Sequence, residues 1–425
     1  MLPHLPGGRQ AATVFVLILL AYTVQTESMQ HIQHALQYKK PIFLLYITHS
    51  SFVVLLPLQL LALRACTGAS VRHNLRLLRG DLLMQADAYL AAQPAPVEDT
   101  DGADGSSDAA EDPAAAPVPA YSPPAAAGRG LSGTHIVVLI WIVTVLTIGI
   151  TIPSLSWFLA VPLTSMANIT SIYNTFSIWA LVFTVVFLGE PWFYRQAGAV
   201  ALGTVGVALV AYSSAAPSVA AAEVRARAVI GDILALLGAV SMAAYEVKYK
   251  QIATIPPHGF QALAMSPHAA AGDALPTDAA LDDADGRPRE STSLRRPAHE
   301  PTLDEELPFG MHAIAIMTGI GAVTLCLVWI PVFVANIYGW ETFELPSDAR
   351  TVTWIAVSVG CGVIFNGCFA ILLALWGPVL ASMSCLLTTV FVQLTDIALG
   401  VPFMWMGLLG CVVIATSFFC LLPGE

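Results

Sequence analysis

The sequence predicts an all-α polytopic membrane protein with ten transmembrane helices, arranged as two inverted five-helix repeats. Hydrophobic residues make up 56% of the 425 residues and charged residues only 11%, whereas soluble proteins average about 25% charged residues. Apolar runs recur along the chain at lengths near the roughly 20 residues that a helix needs to cross a bilayer. A short motif also recurs at the ends of two of these runs, which indicates an internal repeat.

Ten apolar runs are the predicted membrane spans. They cover residues 11–30, 41–63, 135–159, 168–188, 196–213, 229–250, 311–335, 352–375, 379–400 and 405–422. The first two spans therefore occupy residues 1–64, the third to fifth residues 134–214, the sixth residues 229–251, and the last four residues 309–425.

The acidic residues are concentrated between these groups of spans. Nine of the 29 lie within residues 81–112 and ten within residues 273–306. Both segments are rich in Ala, Pro and Gly and poor in aromatic residues, so they cannot bury enough apolar surface to offset their chain entropy. We expect residues 65–133 and 252–308 to be disordered acidic loops.

The basic residues predict the orientation of the spans. If the N-terminus is cytosolic, 13 of the 18 Lys and Arg residues lie in cytosolic segments, as the positive-inside rule requires. Both termini and both acidic loops are then predicted to be cytosolic. The stretch from Arg72 to Gln93 has the pattern of an amphipathic helix that lies on the membrane surface.

The repeated motif is Leu-Gly-x-Pro-aromatic. It occurs in FLGEPWF at 187–193 and in ALGVPFM at 398–404, and a glycine-spaced apolar run follows each copy. Small residues at such spacing let helices approach closely in lipid. Because each half holds five spans, an odd number, the second half must be inverted relative to the first. Inverted repeats are typical of secondary transporters, whose substrate site lies near the midplane between the halves.

Several motifs together suggest a family. The segment TSMANITSIYNTFSIWALVFTVVFLGEPW at 164–192, followed by its Gly-rich helix, resembles the drug/metabolite transporter superfamily of the EamA type. GDILALLGAVSMAAYEVKYKQ at 231–251 resembles the first helix of that family's second repeat. GWETFELP at 339–346 resembles the solute-carrier-35-like branch, in its fungal and animal members without an assigned substrate. The resemblance implies ten helices in two inverted repeats, no cofactor, and a vacuolar or Golgi-type endomembrane.

Two departures from the family pattern stand out. The chain carries the long acidic insertions, and Val401 occupies the position that Glu190 has in the first copy of the motif. The two halves are therefore not expected to be functionally equivalent.

Three side chains of the sixth predicted span share one helical face, since Tyr245, Lys248 and Tyr249 are spaced at i, i+3 and i+4. If this face lines a central cavity, Lys248 binds an anionic group of the substrate while the tyrosines stack or hydrogen-bond. The alternative is that Lys248 and Lys250 extend to the cytosolic surface, with Glu246 paired to Lys250.

Three carboxylates near span ends are candidates for proton coupling or gating: Glu27, Glu190 and Asp396. An ionisable group at the bilayer centre costs about 2.5 kcal/mol or more, which favours a functional role. Glu190, close to Arg195 in sequence, is either a gate or helix-anchoring ion pair or a charge that simply reaches water. Asp396 either takes up a proton from an acidic lumen or bonds to Gln393 or a neighbouring helix.

Uncharged polar residues complete the candidate substrate-binding set. Tyr22 and Gln25 belong to the polar end of the first span, Asn174 to the start of the fourth, Asn366 to the middle of the eighth, and Gln393 to the ninth. A polar group within the membrane must find a partner, which is either another helix or a substrate.

The function predicted from these features is secondary transport of a small metabolite by alternating access, with proton coupling or exchange as the source of energy. The alternative is a non-transporting membrane scaffold or receptor that acts through its cytosolic loops. A continuous polar cavity between the halves distinguishes the two. The few cations within the spans favour a neutral or cationic substrate, or one with a single anionic group, because a dehydrated phosphate needs cationic partners.

The remaining expectations concern chemistry and partners. The chain has no HExxH, no GxSxG and no phosphate-binding glycine loop, so neither an enzyme nor a cofactor is expected. The seven cysteines show no spacing typical of a metal site or a disulfide framework. The expected partners are a small-molecule substrate and the lipid bilayer, without nucleic acid, and a homodimer is a further candidate assembly.

Overall fold

The computed structural model describes residues 7–92, 131–164, 166–214, 222–254, 307–398 and 404–421 of the chain. All regular secondary structure in these residues is helical, which confirms the all-α prediction. Most of both predicted acidic loops lies outside the described residues.

We number the α-helices of the described residues in chain order. They are α1 (Gly8–Gln30), α2 (Pro41–Ser50), α3 (Leu55–Thr67), α4 (Val71–Ala91), α5 (Gly133–Ala160), α6 (Met166–Tyr173), α7 (Phe176–Leu188), α8 (Tyr194–Ser214), α9 (Ala222–Ala253), α10 (Met311–Leu327), α11 (Trp329–Ile337), α12 (Ala349–Ala398) and α13 (Trp405–Leu421). A π-helical turn, His31–Ala35, extends α1, and a 3₁₀ turn, Ser51–Val54, joins α2 to α3.

Eight helical stretches of the described residues are long and apolar enough to cross a membrane. They are Gly8–Ala35, Pro41–Thr67, Gly133–Ala160, Asn168–Leu188, Tyr194–Tyr212, Ala226–Ala253, Met311–Ile337 and Ala349–Thr395, and Trp405–Leu421 is a shorter apolar helix. The chain is therefore compatible with an integral membrane protein. The eighth stretch covers the predicted eighth and ninth spans together, and the count of ten stays a prediction.

Helix α12 is interrupted at Gly377, where φ is 77° and ψ is 174°. Pro378 follows, and a proline disfavours the helical backbone conformation at the preceding residue. Glycine is the residue that tolerates this positive φ. The break divides α12 into a first part, 349–376, and a second part, 378–398.

The first part of α12 runs antiparallel to α1 over the length of both. The rings of His31 and Trp354 lie 4.7 Å apart at one end of the pair, and those of Phe15 and Trp376 lie 5.8 Å apart at the other. Aromatic pairs at such distances contribute to packing beyond the area they bury.

Helices α8 and α13 form a second antiparallel pair with direct backbone contact. A Cβ added to Gly206 would lie 2.9 Å from the Gly410 carbonyl oxygen, and one added to Gly410 would lie 2.6 Å from the Gly206 carbonyl oxygen. The Arg195 Nε donates a hydrogen bond to the Cys420 carbonyl oxygen at 2.7 Å. Only glycine permits this separation, and both helices are the glycine-spaced ones that follow the two copies of the repeated motif.

Helices α5 and α9 form a third antiparallel pair, again at glycines. Gly149 of α5 faces Tyr245, since an added Cβ would lie 3.2 Å from its ring. Gly231 lies near the other end of α9 and faces Thr164, which follows α5. A Cβ added to Gly231 would lie 2.9 Å from the Thr164 side chain. Because these glycines have no side chain, Tyr245 and Thr164 of the facing segments pack close to the backbone of the opposite helix.

Helix α4 falls inside the segment 65–133 for which composition predicts a disordered loop. The amphipathic pattern from Arg72 to Gln93 is the better guide, because 71–91 is helical. Asp81 pairs with the His312 ring, Asp87 Oδ1 lies 3.0 Å from His135 Nε2, and Gln85 Nε2 donates to the Ile252 carbonyl oxygen at 2.8 Å. The helix thus contacts α5, α9 and α10.

Candidate functional site

A cavity of about 80 Å³ lies among the helices. Such a volume has room for more than one water molecule. Residues of α1, α2, α5, α6, α7, α9 and α12 line it, so both predicted halves of the chain contribute. They are Tyr22, Gln25, Thr26, Thr48, His49, Ile150, Ser154, Trp157, Phe158, Tyr173, Phe176, Met242, Phe365, Asn366 and Cys385.

Aromatic rings form much of the wall. Tyr22 and Phe365 lie 4.8 Å apart at 51°, and Trp157 meets Phe158 edge-on at 5.2 Å. Apolar and aromatic walls with a few polar groups are the lining found in small-molecule sites, but at about 80 Å³ this cavity is smaller than the roughly 300–1,000 Å³ of most of them. Among the described residues that line it there is no Lys, Arg, Asp or Glu, and His49 is the one basic side chain.

Three predicted substrate-binding residues line the cavity: Tyr22, Gln25 and Asn366. Gln25 packs against Gly362, where an added Cβ would lie 3.0 Å from its Nε2, and its Oε1 has no hydrogen-bond partner among the described residues. Asn366 Nδ2 donates to the Gly362 carbonyl oxygen at 2.9 Å, within its own helix. The Gln25 carbonyl oxygen is thus buried without a hydrogen-bond partner among the described residues.

Sequence reasoning missed the lining residues of α2, α5 and α6. Thr48 and His49 begin the polar run THSS at 48–51, Ser154 follows Pro153, and Tyr173 precedes Asn174 and Thr175. A signal existed, since each is a polar residue at membrane depth, but threonines and serines also bond their own helix, as Thr48 does to the Leu44 carbonyl oxygen at 2.7 Å. Which of them face a cavity depends on helix rotation.

Helix α9 places the predicted set Tyr245, Lys248 and Tyr249 on different sides. Tyr245 and Tyr249 are buried, whereas Lys248 is exposed and donates to Gln251 Oε1 at 3.4 Å. Residues i and i+4 share a helical face more closely than i and i+3. In place of these three, Met242 is the residue of α9 that lines the cavity.

The predicted ion pair between Glu246 and Lys250 is wrong. Lys250 Nζ donates to the Ala374 carbonyl oxygen of α12 at 2.9 Å. Glu246 is fully buried, and neither of its carboxyl oxygens has a hydrogen-bond partner among the described residues. The pair does not form because Lys250 extends across to α12. There the Ala374 carbonyl, close to the break at Gly377, lacks a hydrogen-bond partner within its own helix.

The remaining predicted residues lie in the turn between α6 and α7, in the second part of α12 and in α1. Asn174 Nδ2 donates to Thr389 Oγ1 at 3.0 Å, a buried bond between the two halves of the chain. Gln393 is half-buried. The Asp396 side chain lies outside the described residues. Glu27 is half-buried in α1 and is not among the residues that line the cavity.

A second cavity, of about 470 Å³, lies where α7 ends and α12 breaks. Glu190, Arg195 and Gln196 line one side of it, and residues around Gly377 line the other. Partial burial raises the pKa of Glu190, and the positive charge of Lys250 offsets part of that rise. Glu190 and Arg195 thus share a cavity, which keeps the gating prediction open.

Two hydrogen bonds of α9 lie beside the second cavity. One is the bond from Lys250 to Ala374, and the other runs from Gln251 Nε2 to the Phe187 carbonyl oxygen at 2.9 Å. They join the end of α9 to the first part of α12 and to the end of α7. In the part of the chain that the structure describes, no group of His, Cys, Asp and Glu side chains is placed to hold a metal ion.

No protein-family model and no curated protein matches the chain. The chain is similar to a solved crystal structure of a protein, with a TM-score of 0.50 and 12% identical residues over 97% of this chain and 96% of that one. At this identity the likeness concerns the fold alone.

Proposed function

We propose that the chain is a secondary transporter of a small metabolite, of the EamA-type drug/metabolite transporter superfamily and its solute-carrier-35-like branch. One observation carries the proposal: the cavity of Tyr22, Gln25 and Asn366 is lined by side chains from both predicted halves. A site shared between two repeats is what alternating access requires, because rocking one half against the other exposes it to each side in turn. The scaffold alternative expects tight apolar packing there.

The proposal includes ten membrane spans. The break at Gly377 leaves two parts of α12, 349–376 and 378–398, each at least as long as the roughly 20 residues a bilayer needs. Helix α13, a shorter apolar helix of 17 residues, supplies the last crossing. Counting α12 twice and adding α13 turns the eight long apolar stretches into ten.

Helix pairing supports the inverted repeat. In such a repeat, spans 1, 3 and 5 correspond to spans 6, 8 and 10. Span 1 pairs antiparallel with span 8 (α1 with the first part of α12), and span 6 pairs antiparallel with span 3 (α9 with α5). Span 5 pairs with span 10 (α8 with α13). If the two halves are exchanged, the pairing of spans 1 and 8 becomes the pairing of spans 6 and 3, and the pairing of spans 5 and 10 is unchanged.

The second cavity supports alternating access. It lies beyond the cavity of Tyr22, Gln25 and Asn366 along α9 and α12, and Lys250 and Gln251 tie the helices together beside it. Rupture of these two bonds is the step that would open the site toward Glu190. Proton coupling or exchange supplies the driving force, and the uncharged lining favours a neutral or cationic substrate. Both termini are proposed to be cytosolic, in a vacuolar or Golgi-type endomembrane.

Ligand-dependent thermal stabilisation of the detergent-purified protein tests the proposal. A compound that binds only the native state raises the apparent melting temperature with concentration, so a panel of amines, amino acids, nucleosides, thiamine-like cations and nucleotide sugars is screened. Hits are then followed by uptake into proteoliposomes.

Matched variants locate the binding site. Tyr22→Ala and Gln25→Leu alter the cavity, while Val24→Ala, in the same turn of α1, alters an exposed side chain. We expect stabilisation and uptake to fall at least tenfold in the first two variants and to persist in the third. A panel without hits, or hits that all three variants share with the native chain, contradicts the proposal and favours the scaffold.

A further inference from the structure

Helix α4 is the element that the proposed transport cycle does not use. It lies between the second and third predicted spans in the chain. It packs against the last turns of α3 and contacts the start of α5, the end of α9 and the start of α10. These four helix ends belong to one end of the bundle. Helix α4 therefore lies across that end, which is cytosolic in the proposed orientation.

The charged side chains of α4 differ in their surroundings according to sign. Its two acidic residues, Asp81 and Asp87, pair with the histidines of α10 and α5 described above. Its three arginines, Arg72, Arg76 and Arg79, are all exposed. They are spaced at i, i+4 and i+7 and therefore share one helical face. The exposed face of the first half of α4 thus carries positive charge only.

No acidic residue lies close in sequence to balance this charge. The chain has no Asp or Glu between Glu27 and Asp81, and Arg64, near the end of α3, adds a fourth exposed arginine. The guanidinium groups of Arg64, Arg72 and Arg76 have no ion-pair or hydrogen-bond partner among the described residues. We call these three residues the arginine surface.

Apolar side chains beside the arginine surface are also exposed. Leu75, on the same face of α4 as Arg72, is 42% exposed. Leu58 and Leu61 of α3 are exposed to a similar or greater extent, as expected of side chains that face lipid. Arg64 follows Leu61 by three residues, which is about 4.5 Å along the helix axis. The charge of Arg64 therefore lies at the boundary of the apolar surface of α3.

The second half of α4 carries a further marker of the membrane interface. Trp141 Nε1 of α5 donates a hydrogen bond to the Tyr89 hydroxyl at 3.1 Å, and the Trp141 side chain is exposed. Tryptophan and tyrosine are enriched where lipid headgroups meet the acyl chains. Both halves of α4 therefore combine polar groups with exposed apolar ones, as helices that lie along a membrane surface do.

We propose that the arginine surface binds the headgroups of anionic phospholipids. Guanidinium groups match phosphate oxygens in a bidentate geometry, and Leu75 enters the acyl region beside them. Anionic lipids are concentrated in the cytosolic leaflet, which faces this end of the bundle in the proposed orientation. The proposal goes beyond transport and holds whether or not the chain moves a substrate.

The acidic stretch 98–112 is the competing occupant. It follows α4 in the chain and carries seven acidic residues, so its charge also complements the arginine surface. The stretch has no large apolar residue, however, and cannot cover Leu75. A phospholipid supplies both a phosphate and an acyl chain, and the exposed leucines therefore favour lipid.

Lipid-dependent thermal stabilisation of the full chain in a nonionic detergent is the test. The purified protein is titrated with dioctanoyl phosphatidylserine. Dioctanoyl phosphatidylcholine is the zwitterionic control, and glycerol 3-phosphate is the soluble source of phosphate. A lipid that binds the native state raises the apparent melting temperature. We expect phosphatidylserine to bind about tenfold or more tightly than either control. The difference should shrink as salt is added, because exposed charges are screened.

Variants assign the effect to the arginine surface. An arginine near an anionic membrane strengthens binding about fivefold, so the double variant Arg72→Gln, Arg76→Gln should lose about tenfold or more in apparent affinity for phosphatidylserine. Replacement of the same two residues by lysine should cost less, because the charge remains. The matched control is Arg227→Gln, which removes an exposed arginine near the opposite end of α9 and should leave the affinity unchanged.

Leu75→Gln separates lipid from the acidic stretch. It should weaken the binding of phosphatidylserine, because the acyl chain loses an apolar contact, whereas a peptide segment held by charge would be unaffected. Phosphatidylserine binding that is unchanged in Leu75→Gln therefore counts against the proposal. If the glutamine double variant does not fold, the lysine variant, Leu75→Gln and the control lipids still decide.

Three further results overturn the proposal. They are equal stabilisation by phosphatidylserine and phosphatidylcholine, equal stabilisation by glycerol 3-phosphate, and phosphatidylserine binding that the glutamine double variant retains in full. A native chain that does not respond to phosphatidylserine, together with a double variant whose stability is lower in lipid-free detergent at low salt alone, would assign the arginine surface to the acidic stretch instead.

Discussion

At the scale of single residues, Glu341 explains part of the GWETFELP segment. Helix α2 begins with Pro41, so its first free backbone donors belong to Ile42 and Phe43. The Glu341 carboxylate accepts from both, at 2.9 Å each. Burial and the negative charges of Glu341 and Glu344 raise the pKa of Tyr38 to about 12. The capping of α2 by Glu341 thus gives one residue of the GWETFELP segment a structural role.

We predict that Glu341→Ala lowers the free energy of unfolding by about 1–2 kcal/mol, the usual effect of removing a helix cap. Glu341 is only 9% exposed, so water cannot readily replace it. The control is Glu344→Ala, whose exposed ion pair with Lys40 at 3.6 Å is worth at most about 1 kcal/mol. Thermal unfolding in detergent measures both, and equal losses would show that the cap is not important.

A second prediction concerns the hydrogen bond from Asn174 to Thr389. Both side chains are buried, so the bond joins two helices without competition from water. Asn174→Leu and Thr389→Val should each destabilise the protein, and the double variant should show a coupling energy of about 0.6–1.7 kcal/mol. Additive effects in the double-mutant cycle would contradict a direct bond. They would also return Asn174 to the set of substrate-binding candidates.

At the scale of elements, glycines decide how helices break and approach. Gly377 is at φ 77° and ψ 174°, a region that is essentially restricted to glycine. Gly360 lies in the same helix with no positive φ, and an added Cβ would meet nothing within 4 Å at either position. The two sites therefore differ in backbone conformation alone.

We expect Gly377→Ala to destabilise the protein by about 1–3 kcal/mol through backbone strain. Gly360→Ala should stabilise it by about 0.5–1 kcal/mol, because alanine loses less entropy in a helix. Unfolding midpoints of the two variants in one detergent provide the comparison. Stabilisation by both substitutions would mean that α12 is continuous at residue 377.

The crossing of α8 and α13 gives an analogous pair. Gly206→Ala would place its Cβ 2.7 Å from Ile414 Cγ1 and 2.9 Å from a backbone oxygen, and overpacking of this kind costs about 1–3 kcal/mol. Gly198→Ala, in the same helix, meets nothing within 4 Å and should be neutral or slightly stabilising. If Gly206→Ala unfolds at the same temperature as Gly198→Ala, the two backbones are not in contact.

At the scale of the whole molecule, ten spans require both termini on the same side of the membrane. We predict that epitope tags placed before residue 7 and after residue 421 are both accessible, or both protected, in sealed vesicles of one orientation. Antibody binding before and after permeabilisation measures this. Tags on opposite sides would mean an odd number of crossings, and the inverted arrangement of two five-helix halves would then fail.

The elements were largely predictable because hydropathy depends on local composition. Within the described residues every predicted span overlaps helix, although α9 begins seven residues before the predicted 229 and the predicted span 168–188 is interrupted between α6 and α7. The pattern from Arg72 to Gln93 also predicted a helix. The site was predictable only in part. Tyr22, Gln25 and Asn366 are polar residues within spans that do line the cavity, but Lys248 and Glu246 are neighbours on α9 with opposite surroundings, one exposed and one buried. Local sequence holds no information on which side of α9 faces α12.

The sequence by itself determined the all-helical class and the long apolar stretches, because both follow from composition and spacing along one segment. Only the tertiary structure decided which partners the polar groups meet: Asn174 with Thr389, Lys250 with Ala374, Glu341 with the start of α2, and Glu246 with none among the described residues. These outcomes depend on the rotation and crossing of helices far apart in the chain, and packing over the whole bundle sets that rotation.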